Sequence, residues 1–155
     1  MSKVTPLYLR RTGICTTDFP KYSAGELFAR AKGYGFDVVQ FGFQTVVETE
    51  FDADGKIEFP DFSELPAGAM GAIERAALSS GVEVGAINGT FNAAHPEKEV
   101  RDEAVRRFLG LAKAAKSLGC GIITLCSGTR CAEDLWTYHP DNGTPEAWRD
   151  MMDTM

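Results

Sequence analysis

The sequence predicts an α/β protein built of parallel β-α units, and three observations carry that prediction. Compact apolar runs rich in Val, Ile and Phe alternate with helical patterns four times along the chain. Three successive helical patterns close on glycine, at Gly33 or Gly35, at Gly81 and at Gly119, the residue suited to a left-handed helix stop. The strand runs are continuously apolar, as strands covered on both faces require. Strands alternating with helices pair in parallel through right-handed crossovers.

Residues 11–19, "RTGICTTDF", read as a short strand followed by turn residues. A helix follows, with Ser23 as N-cap and Leu27, Phe28 and Ala31 as its apolar face. Residues 36–43, "FDVVQFGF", form a β-branched and aromatic second strand. From about 45 to 65 the chain is polar and bears a proline, and "FDADGKIEF" at 51–59 holds an Asp-Gly pair that predicts a small hairpin. Pro66 lies in the first turn of the next helix, which Gly81 ends. Residues 82–91, "VEVGAINGTF", give the third strand.

The strongest helical pattern runs over 97–119, where Val100, Ala104, Phe108, Leu111, Ala112, Ala115 and Leu118 fall on one face. Acids lead it and bases follow, which suits the helix dipole. Residues 120–128, "CGIITLCSG", read as a fourth buried strand, and Thr144 with Pro145 caps and opens a last helix.

No glycine-rich phosphate loop follows the first strand, and a fifth strand for a flavodoxin-like sheet is missing. A complete (β/α)8 barrel needs roughly 250 residues. Residues 1–155 therefore read as one domain without a linker, the first four units of a TIM (β/α)8 barrel. An open half-barrel exposes an edge strand and apolar helix faces, so the expectation is a chain truncated relative to its natural domain, or one that pairs with itself as a homo-oligomer.

Hydrophobic residues make up 44% and charged residues 25%, a soluble globular composition. The net charge of -6 and the lack of a basic stripe argue against a nucleic-acid partner. The apolar runs are too short to span a membrane, and the N-terminus lacks the apolar run of a signal peptide. The cysteines at 15, 120, 126 and 131 contain no C-x-x-C pair, so a reduced, cytoplasmic setting is expected.

In a barrel of this kind, sites form where strands hand over to helices. Those handovers carry Thr16, Thr17 and Asp18; Gln40, Phe43, Gln44 and Glu48; Asn88, Thr90, Asn92 and His95; and Cys126, Ser127, Thr129 and Arg130. The loop "CAEDLWTYHPDNGTPEAW" follows, with Trp136, Tyr138 and His139. Such small, hydrogen-bonding residues with aromatics around them suit a carbohydrate pocket. The substrate-binding candidates are His95, Asn92, Gln40, Glu48, Arg130, Trp136 and His139.

His95 serves either to cap the backbone beside a helix start or to meet substrate or a metal. Asp18, Glu48 and Asp134 are carboxylates that could converge with it, but their spacing does not fix a metal site. Cys126 reads as a small buried residue more than as a nucleophile, because no base neighbours it in sequence. Arg130 suits either an anion or a surface ion pair. Trp136 is open to sugar stacking, Trp148 reads as the inward residue of the last helix, and residues 141–143 read as a turn.

"GTFNAAHP", the long helix after it and "IITLCSGTRCAEDLWTYHPDNGTPEAWRDM" resemble the sugar phosphate isomerase/epimerase family of xylose-isomerase-like TIM barrels. The resemblance is most specific from about 89 to 151. It implies a metal-dependent isomerase or epimerase acting on a sugar, sugar phosphate or related polyol by proton abstraction next to a carbonyl, with Mn2+, Mg2+ or Zn2+. It further implies that the catalytic carboxylates and most metal ligands lie beyond Met155, so that this chain alone is inactive. The same superfamily contains apurinic-site endonucleases with histidines after strands three and four. His95-Pro96 matches the first of these, whereas Cys126 stands in the second histidine's place, which speaks against a nuclease. A carbohydrate-binding half-barrel without catalysis, completed by itself or a partner, is the alternative.

Overall fold

The computed structural model describes residues 11–46 and 68–155. Four strands, β1 (Gly13–Cys15), β2 (Val38–Phe41), β3 (Glu83–Asn88) and β4 (Ile123–Thr124), alternate with helices α1 (Ala24–Gly33), α2 (Ala69–Ser80), α3 (Lys98–Ser117) and α4 (Pro145–Thr154). All strand pairs are parallel and the sheet order is β1-β2-β3-β4. Right-handed crossovers between successive neighbours place α1, α2 and α3 on the same side of the sheet. This is the stave-by-stave order of a barrel, without the reversal of a doubly wound sheet.

Local signals fix the helix ends. The Ser23 hydroxyl accepts from the Glu26 N–H at the start of α1, and the Thr144 hydroxyl accepts from the Ala147 N–H at the start of α4, with Pro145 in the first turn. Both caps agree with the sequence. Helices α2 and α3 end at Gly81 and Gly119, each with φ of 67°.

The core lies between the sheet and its helices. Leu27, Phe28 and Ala31 of α1 and Ile73 of α2 pack with Val39, Phe41, Val84 and Ile87 of the sheet. The Phe28 ring stacks on Phe41 (5.7 Å between centroids), and Phe41 meets Phe43 edge-on at 5.0 Å. Val39 and Phe41 point to the helices, so Val38 and Gln40 point to the other, inner face. The β2–β3 register slips by one residue at Gly85, from Val39 opposite Val84 to Gln40 opposite Ala86. A Cβ on Gly85 would stand 2.5 Å from Val38 Cγ1, so glycine is needed where the strands crowd.

Three expectations change. The second strand pairs only over Val38–Phe41, and the fourth only over Ile123–Thr124. As an edge strand, β4 has a ladder on one side alone, which leaves Ile122 exposed. On α3, Arg101 is buried while Val100 is 41% exposed. Arg101 is drawn inward because its guanidinium donates to the His95 carbonyl (2.6 Å) and pairs with Asp150 (3.3 Å). The hairpin at 51–59 and Pro66 lie outside the described residues, and α2 starts at Ala69.

Candidate functional site

Parallel strands in this register bring all four C-terminal ends to one edge. Strand alternation puts Cys15, Gln40, Ala86, Asn88 and Thr124 on the inner face there, each half-buried. Cys15 Sγ and Thr17 Oγ1 lie 2.9 Å apart. Gln40 Nε2 donates to Thr124 Oγ1 (2.9 Å), and Thr124 Oγ1 donates to the Ile87 carbonyl (3.3 Å). The Thr90 N–H donates to Asn88 Oδ1 (3.1 Å). Gln44 folds its amide over Gly42, where a Cβ would stand 2.9 Å from Oε1.

Just past these strand ends the first two turns are tied by hydroxyls. Gly42 N–H donates to the buried Thr16 Oγ1 (2.9 Å), and Thr45 Oγ1 donates to the Gly42 carbonyl (2.6 Å). The two turns are thus tied to each other.

The third and fourth loops are clasped together. Asn92 Oδ1 accepts from the Thr129 N–H (2.9 Å), while Asn92 Nδ2 donates to the Cys131 carbonyl (3.3 Å). Asn142 Oδ1 accepts from Thr129 Oγ1 (2.9 Å) and from the Arg130 N–H (2.7 Å). Gly128, with φ of 75°, lies so close to Asn92 that a Cβ would stand 2.9 Å from the Asn92 Cα.

Arg130 donates to Asp150 (2.6 Å) and to the Ala94 carbonyl (3.4 Å), and its Nη2 stands 3.8 Å from Glu146. Asp150 therefore sits between Arg130 and Arg101. The Arg130 hydrogen bond, with the nearby charge of Arg101, holds its carboxyl below the usual range. The group binds α3 and α4 to both loops.

His95 is 7% exposed. Its Nδ1 accepts from the Glu97 N–H (3.1 Å) at the head of α3. The ring thus caps the backbone beside a helix start, by accepting from an N–H. The Cys126 thiol donates to the Phe91 carbonyl (3.4 Å), and burial pushes its pKa up, which keeps it a thiol. Trp136 and Tyr138 are 73% and 78% exposed. His139 Nδ1 accepts from the Asp141 N–H (3.3 Å) at the rim of that loop. Trp148, expected to face inward, is 62% exposed, and Ala147 takes the buried position of α4.

Of the sequence candidates, Gln40 lies on the inner face, Asn92 and Arg130 are engaged between loops, His95 sits at a helix start, and Trp136 and His139 lie outside on the last loop. Glu48 lies outside the described residues. Asp18 and Asp134 do not come together with His95, and among the described residues no three His, Cys, Asp or Glu side chains converge as metal ligands would. Sequence reading missed the roles of Thr124, Asn142 and Asp150. Asn142 next to glycine signals only a turn, and nothing in the sequence pairs Asp150 with two distant arginines.

A cavity of about 530 Å3 lies between α3 and the third loop, walled by Phe91, Val100, Ala104, Phe108, Leu111 and Leu135. Its wall is mixed, because Asn88, Thr90, Asn92, Glu99, Glu103 and Arg107 line it as well, and through Asn88 it adjoins the inner face. No described helix is long and apolar enough to cross a membrane.

A family model described as xylose isomerase-like TIM barrel matches residues 28–155. Among solved structures, a D-psicose 3-epimerase determined in the presence of D-fructose is similar in fold, with a TM-score of 0.59 and 14% identity. The match covers 94% of this chain and 46% of that one, so this chain spans about half the length of the structure it resembles. No curated protein matches the chain.

Proposed function

Because the chain belongs to the xylose isomerase-like TIM barrel family, we propose that it supplies the first four staves of a sugar isomerase or epimerase, including part of the wall that holds the substrate. The observation that carries this reading is the polar layer of Cys15, Gln40, Asn88 and Thr124 on the inner face. It occupies the strand ends, where barrels of this fold place their sites. The role of these residues is to bind and orient a carbohydrate through fixed hydrogen bonds.

The reaction proposed for the complete barrel is proton abstraction beside a carbonyl of a sugar, sugar phosphate or polyol. A divalent metal such as Mn2+, Mg2+ or Zn2+ would polarise that carbonyl. The described residues offer no converging ligand set for such an ion. In line with the family resemblance, the metal ligands and catalytic carboxylates are proposed to come from the C-terminal half of the complete barrel.

The test is to titrate the 155-residue chain with D-fructose, D-psicose and D-xylose by NMR, and to assay sugar interconversion with Mn2+ by chromatography. Binding without turnover is expected. Binding of none of the three overturns the reading, and turnover would move the catalytic carboxylates into this chain.

A second reading is a non-catalytic half-barrel completed by a second copy or a partner. One observation favours it: the strand side chains at the site are amides, a hydroxyl and a thiol, without carboxylate or imidazole. It predicts a dimer in sedimentation velocity at the concentrations where sugar binds. A monomer that binds sugar favours the first reading.

A further inference from the structure

Gln40 and Asn88 carry side-chain amides whose orientations are fixed by chemistry. The Thr124 hydroxyl donates its proton to the Ile87 carbonyl, so toward Gln40 it can only accept. Gln40 must therefore present Nε2 to it, which turns Oε1 away. The Thr90 N–H needs an acceptor, so Asn88 must present Oδ1 to it, which turns Nδ2 away.

Neither Gln40 Oε1 nor Asn88 Nδ2 has a partner among the described residues. No fully buried side-chain nitrogen or oxygen among these residues lacks one, so neither atom is fully enclosed. Asn88 and Thr124 are register partners, and Gln40 reaches Thr124 across β3. The two amides thus flank Thr124, one with an acceptor left over and the other with a donor.

We propose that Gln40 and Asn88 form an orientation-locked amide pair that reads two adjacent hydroxyls of a neutral polyol. This rests on the carbohydrate reading above and names the part of the ligand these residues select. One hydroxyl donates to Gln40 Oε1 and its neighbour accepts from Asn88 Nδ2. A carboxylate or phosphate oxygen at the first position would face an acceptor with no proton to share. A ligand without hydroxyls leaves both amides unpaired, and a site built to hydrogen-bond a hydroxyl rejects such analogues strongly. Because both residues stand on strands, their orientation is set before the ligand arrives.

Thr124 is the positioning residue, and its variants separate the proposal from a merely structural role. Binding of D-fructose to the 155-residue chain is measured by NMR titration, with the Gln40 side-chain amide resonances followed directly. Those resonances shift on binding. Thr124→Val, which keeps the shape but frees the Gln40 amide to flip, weakens binding about three- to tenfold, and Gln40→Leu weakens it at least as much. Thr124→Ser, which keeps the hydroxyl, restores wild-type affinity, and melting curves establish that each variant is folded. If Gln40→Leu fails to fold, the Val and Ser pair at Thr124 decides the outcome. Equal D-fructose affinity in wild type and Thr124→Val overturns the amide pair while leaving the carbohydrate reading intact. A wild-type chain that binds none of the three sugars overturns both.

Discussion

Gly128 and Asn92 illustrate how much of this protein rests on single atoms. At φ of 75°, an alanine at Gly128 costs about 1–2 kcal/mol from backbone strain alone, and its Cβ also collides with Asn92. Gly128→Ala is expected to lower urea stability by more than that strain. Asn92→Ala strands the N–H of the buried Thr129 and should cost about 1–3 kcal/mol in the same measurement. Asp150 gives a pH signature. Its carboxyl is held below its ordinary 3.8 by Arg130 and Arg101, so fewer protons bind there in the folded state. Its contribution is complete above that ordinary value and is lost as pH falls through the lowered one. Asp150→Asn should therefore melt lower than wild type near neutrality and converge with it in acid. Sequence showed which residues were polar and near strand ends, yet not which were already engaged. Asn92, Arg130 and His95 all read as candidates because a side chain's internal partners, 2 to 39 positions away, leave no local trace.

At the level of elements, the sequence was most legible where signals are local. Ser23, Thr144 with Pro145, Gly81 and Gly119 mark the helix ends the structure has. Thr144→Ala should cost about 1 kcal/mol, seen as a lower urea midpoint with an unchanged slope. Legibility failed where an element's neighbours decide its burial. The face predicted for α3 holds from Phe108 to Leu118, but its first turn follows Arg101 toward Asp150. The fourth strand was read as buried over nine residues, because an apolar run does not say that only one side of it is paired.

For the whole molecule, alternation and helix stops sufficed to predict parallel β-α units, and the observed order β1-β2-β3-β4 is the barrel order over the doubly wound one. The core beneath that sheet is narrow enough that one ring matters. Phe41→Ala removes the partner of both Phe28 and Phe43 and should cost about 3–5 kcal/mol in urea unfolding. The inner face is harder to read from sequence, since the slip at Gly85 decides which β3 residues join Gln40 there, and a register shift has no compositional mark.

The sheet order also bears on how the molecule is made. Each strand pairs with the one synthesised just before it, so no strand waits for a partner that the ribosome has yet to deliver, apart from the growing edge. Once the chain has emerged as far as Asn88, every residue of the β1-β2-β3 ladder is available to pair, and β4 extends that ladder at one edge. Domains assembled from such near-neighbour contacts can fold vectorially as they emerge, and here the order of translation and the order of the sheet are the same.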